Sequence, residues 1–97
     1  MNIGFVYFIE EEETRNIKIG FSEKHPEGRL KDFQTGNSNK LNLIGYIEGT
    51  YEEETILHQE FSEYRIRNEW FESYSRIEKR IKDMLEESSE DKKIGIR

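Results

Sequence analysis

Residues Val6–Phe21 read VYFIEEEETRNIKIGF, two apolar runs separated by a charged and polar stretch. The first run, begun at Ile3, is rich in aromatic and β-branched side chains, which pack well on a pleated surface. In the second, NIKIGF, Ile17, Ile19 and Phe21 alternate with Lys18 and Gly20, the period of a strand with one buried face. Two such runs joined by polar residues predict an antiparallel hairpin. Its tip would carry the acidic run Glu10 to Glu13. If Tyr7 stands outside the apolar set of the first strand, it shares a face with Lys18.

Outward from the hairpin, PEGRLKDFQTG (26–36) predicts a short helix. Proline suits the first turn, Leu30 and Phe33 lie three apart, and Gly36 can close the helix in a left-handed conformation. LNLIGYIE (41–48) supplies a third strand. Thr50 and Glu53 have capping-box spacing, predicting a helix from Tyr51 to about Tyr64 with Leu57, Phe61 and Tyr64 inward. Ser75 and Glu78 repeat that spacing before a stripe of Ile77, Ile81, Met84 and Leu85. From Ser88 the chain is polar, so the expected organisation is one domain over residues 1–87 and a frayed tail over 88–97.

The chain has 97 residues, enough for one core. It has no cysteine, which excludes a disulfide framework and thiolate metal sites. No apolar run approaches membrane-spanning length, and the N-terminus lacks a signal-peptide layout. A cytoplasmic protein with no membrane partner is the expectation. Formal charge is −6, from 21 acidic and 15 basic residues, which argues against tight nonspecific binding of nucleic acid. Lys18, Lys24, Arg29, Lys31, Lys40, Arg65 and Arg67 nevertheless fall between the two acidic ends, so a local cleft could be positive.

Several side chains have both a structural and a chemical reading. Tyr7 can be a strand aromatic at the core edge, and Lys18 an ordinary exposed strand residue. Arg29 can be a surface helix residue, or a guanidinium gripping two phosphate oxygens. Glu54 and His58 lie one helical turn apart, as an exposed pair or as a carboxylate and imidazole that hold a hard cation or deliver a water. Trp70 and Phe71 close the core or offer a stacking surface, Asn68 and Glu69 form a turn, and Gly4, Gly20 and Gly45 mark bulges or close backbone approaches. Glycine-rich phosphate loops, zinc-finger spacings and nucleophile elbows are missing from the sequence.

Taken in order, FVY (5–7), KIG (18–20), GRLKDF (28–33), ETILHQEF (54–61) and NEWF (68–71) resemble the GIY-YIG nuclease superfamily, more narrowly its T5orf172 or meiotically up-regulated gene 113 branch. The resemblance spans residues 3–71. It implies an α+β, GIY-YIG-like fold in which a small three-stranded antiparallel sheet is flanked by helices. It further implies a metal-dependent endonuclease acting on nucleic acid, DNA before RNA, with Mg2+ or Mn2+ as cofactor. Glu54 matches the metal-holding carboxylate, Tyr7 the first tyrosine and Arg29 the helix arginine. Lys18 stands where the second tyrosine is usual, and the first glycine is displaced to Gly4. His58 follows the branch pattern and is an alternative base to Tyr7, whose phenol Lys18 would bias toward phenolate. Lys24, Lys31, Arg65 and Arg67 are candidate nucleic-acid contacts, and Gly20, Phe33, Phe61, Trp70 and Phe71 candidate structural residues. The alternatives are a binding module that does not cut, and a domain that engages a protein partner or a second copy of itself.

Overall fold

The first hairpin forms as its alternation predicts: β1 (Ile3–Glu11) pairs antiparallel with β2 (Ile17–Ser22). The computed structural model describes residues 3–92. After β2 come α1 (Pro26–Thr35), β3 (Leu41–Thr50), α2 (Tyr51–Glu60), a 3-10 turn (Ser62–Tyr64), β4 (Arg65–Arg67), β5 (Trp70–Phe71) and α3 (Ser75–Lys92). The fold is α+β, as expected, but the sheet has five strands rather than three, in the order β3-β1-β2-β5-β4. The two added strands are three and two residues long, too short to show a period. A turn at Asn68, whose φ of 51° is left-handed, folds them together.

β1 is interior, between β3 and β2, and is covered and apolar on both faces. Val6 and Phe8 face a core with Ile17, Ile19, Leu57, Phe61, Phe71 and the α3 stripe, so α2 and α3 cover this side. Tyr7, Ile9 and Leu41 face the other side, where Leu30 and Phe33 of α1 pack. Tyr7 lies opposite Gly20 and Ile9 opposite Lys18, which puts Tyr7 and Lys18 on the same face. Tyr7 nevertheless belongs to the apolar set, being 1% exposed.

The helix ends correct several expectations. Gly36 has φ −97°, so α1 does not end in a left-handed residue. Gln34 takes over instead: its side-chain amide donates to the carbonyls of Asn37 and Asn39, and its oxygen accepts from the Leu41 N–H. That fixes the chain into β3 without a special backbone angle. The predicted helix to Tyr64 divides at Phe61 into α2 and the 3-10 turn. Thr50 and Glu53 do form a reciprocal capping box. At α3 Ser75 is the first helical residue rather than the cap, and the Glu78 carboxylate accepts from the Ser73 hydroxyl instead of closing a capping box with Ser75. The expected boundary at residue 87 falls inside α3, and residues 93–97 of the expected tail lie outside the described residues. No helix among the described residues is long and apolar enough to cross a membrane.

Candidate active site

β5 pairs with β2 only at Ile17 and Lys18, so the outer edge of β2 from Ile19 onward lacks a strand neighbour. Two other groups meet it. Ile19 N–H donates to the Glu69 carbonyl at 3.0 Å, and the Ile19 carbonyl is 2.8 Å from His58 Nε2. A carbonyl only accepts, so this His58 nitrogen carries a proton, and in the neutral form of the ring Nδ1 is the acceptor. The ring edge rests on Phe71, with centroids 5.0 Å apart. His58 thus extends the sheet where β5 stops.

A cleft of about 740 Å³ opens along this edge, bounded by α1, α2 and the β4–β5 turn. Lys18, Arg29, Phe33, Glu54, His58 and Arg65, all singled out in the sequence, line it. Lys18 Nζ lies 4.5 Å from the centre of the Phe33 ring and 5.7 Å from that of Trp70, and the Arg29 guanidinium 4.8 Å from Phe33. Phe33 therefore holds both cations by their attraction to its π face. Lys24, Lys31 and Arg67 do not line the cleft: Lys24 follows β2, Lys31 is exposed on α1, and Arg67 is exposed in β4. Phe61 and Phe71 are core residues. Trp70 is partly buried against the Tyr7 cluster.

Tyr7, on the interior strand β1, is packed over Gly20 behind the residues that line the cleft, with Arg29 near its hydroxyl. A Cβ at residue 20 would lie 2.4 Å from both the Tyr7 ring and its hydroxyl, so only glycine leaves room for this ring. Burial, with the Glu69 charge adding to it, pushes the phenol up to about 12, against a smaller opposing effect of Arg29. The sequence expectation that Lys18 would favour phenolate is not met. Lys18 is paired with Glu69, Nζ to Oε1 3.0 Å. Tyr7 is accordingly a protonated donor near neutrality.

Glu54 is 4% exposed yet lines the cleft. Burial raises its pKa, the charges of His58 and Lys18 lower it, and that of Glu69 raises it; no hydrogen-bond donor is among these influences. Charging a carboxylate on so buried a residue is costly unless positive groups stand near it, as Lys18 does here. Among the described residues no three His, Asp or Glu side chains converge as a metal site. The lining carries three cations, Lys18, Arg29 and Arg65, against Glu54 and Glu69, so it is mixed rather than strongly positive. Asn68 and Glu69, which the sequence predicts only as a turn, both line the cleft, and Glu69 brings a charge to it. Its acidic side chain beside Trp70 was a visible signal, but its target depends on β5 pairing.

Fold and cleft define a small α+β domain whose sheet edge is completed by a histidine and lined by an acid, an aromatic ring and basic groups. The chain belongs to the T5orf172 domain family, whose profile matches residues 4–89. Comparisons with curated proteins and with solved structures yield no significant match.

Proposed function

We propose that this chain is a cytoplasmic, metal-dependent endonuclease-like domain of the GIY-YIG superfamily, hydrolysing phosphodiester bonds with DNA as first substrate. Family membership and the ordered motifs support the reading, and one observation carries it: Glu54, 4% exposed, lines the cleft together with Glu69 and His58. A hard oxygen donor of this kind fits Mg2+ or Mn2+, which often take one or two carboxylates and complete their shell with water and phosphate. Bound there, such an ion supplies charge that polarises the phosphodiester and favours departure of the leaving oxygen.

The remaining work falls to the chain's own side chains. Arg29, anchored on Phe33, faces the cleft with donors suited to a nonbridging phosphate oxygen, where negative charge grows in the transition state. Lys18 adds a second positive charge once it leaves Glu69. His58, with Nε2–H committed to Ile19, has Nδ1 to accept a proton from the attacking water. Tyr7, protonated, orients that water or donates a hydrogen bond rather than acting as the base.

The test is cleavage of labelled single- and double-stranded DNA with and without Mg2+ or Mn2+. Metal-dependent cleavage is expected, falling about 100-fold or more in Glu54→Gln and in Tyr7→Phe with folding retained. Salt-sensitive binding without cleavage would replace this reading with a nucleic-acid-binding module. Loss of both would point to a protein partner.

A further inference from the structure

Glu69 sits at the turn that delivers β5 to the open edge of β2. Left-handed Asn68 precedes it, and its own carbonyl is tied to Ile19 N–H. The two polar backbone groups of Ile19 point to the same side of the strand, one bonded to Glu69 and the other to His58. Glu69 and His58 are therefore neighbours along one edge. Glu54 lies a helical turn from His58 on α2, and all three line the cleft.

In this arrangement Glu69 pairs with Lys18, whose charge also acts on Glu54, so the one ammonium serves both acids. Rotation of the Glu69 side chain about a fixed backbone can turn a half-exposed carboxylate from the ammonium into the cleft. We propose that Glu69 is a second ligand of the divalent cation held by Glu54, exchanging Lys18 for the ion. The inference rests on the cation-dependent reading above and deepens it. Two carboxylates form an oxygen-rich site of the kind Mg2+ and Mn2+ prefer. The exchange also releases the lysine ammonium, so arrival of the cation prepares Lys18 to receive a phosphate.

The experiment is a titration of the full chain with Mn2+, followed by the paramagnetic signal of the free ion, with no nucleic acid present. Wild-type protein binds Mn2+, and Glu54→Gln and Glu69→Gln each weaken it about tenfold or more, comparable to the loss of a supporting group at a metal site. Lys18→Met tightens binding several-fold, because the competing ammonium is gone. Glu69→Asp, which keeps the charge on a shorter arm, gives an intermediate loss and remains informative if the glutamine variant unfolds. The proposal is overturned if Glu69→Gln binds within about twofold of wild type while Glu54→Gln does not bind, or if wild type fails to bind Mn2+ unaided. Binding through both carboxylates with no DNA cleavage would sink the nuclease reading alone. Cleavage alongside Mn2+ binding indifferent to Glu69 would sink this proposal alone.

Discussion

At Tyr7, packing and chemistry bear on the same hydroxyl. The ring fills the space above Gly20 and is almost fully buried, which holds the phenol neutral. Its pKa is about 12 in the folded chain against 10.0 for an ordinary tyrosine, a difference of roughly 3 kcal/mol between protonation states. Because the folded value is the higher, this stabilisation is whole below pH 10 and is lost as the pH rises toward 12. Tyr7→Phe should therefore flatten the alkaline fall in stability over that window, read as the urea midpoint from pH 9 to about 11.5. An unchanged slope would mean that the phenol titrates normally.

Among elements, α2 does most to set the cleft, for its first turn carries Glu54 and its second His58. The Thr50–Glu53 capping box fixes where that helix begins. Thr50→Ala should cost about 1 kcal/mol, measured by thermal or urea unfolding. It should also lower Mn2+ affinity, since fraying of the first turn frees Glu54. This helix was legible in the sequence because caps and four-residue spacings are local signals. The hairpin was legible for the same reason, through its alternation. Strands β4 and β5 were not, because RIR and WF are too short to carry a period: WF exists through pairing with Ile17 and Lys18, and RIR through pairing with WF. Glu69 was missed with them. The Gly36 ending was misread because the Gln34 side chain, reaching forward to Asn39 and Leu41, does what a left-handed residue would have done.

Over the whole molecule, a formal charge of −6 surrounds a cleft with three cations. Contacts from Lys18, Arg29 and Arg65 alone predict a slope near −2 for log affinity against log salt with single-stranded DNA, since each phosphate neutralised contributes about −0.7. Fluorescence anisotropy across a salt series measures it. A slope steeper than about −4 would bring in Lys24, Lys31 and Arg67, which lie outside the cleft. Composition reported the charge balance, but only folding decides which basic residues gather. The bond from Ile19 N–H to the Glu69 carbonyl joins the sheet edge to the turn that holds the second cleft acid. The backbone thereby contains its own spectroscopic sentinel: the Ile19 amide resonance and its solvent-exchange rate report whether that turn is seated, with no probe placed among the reacting groups.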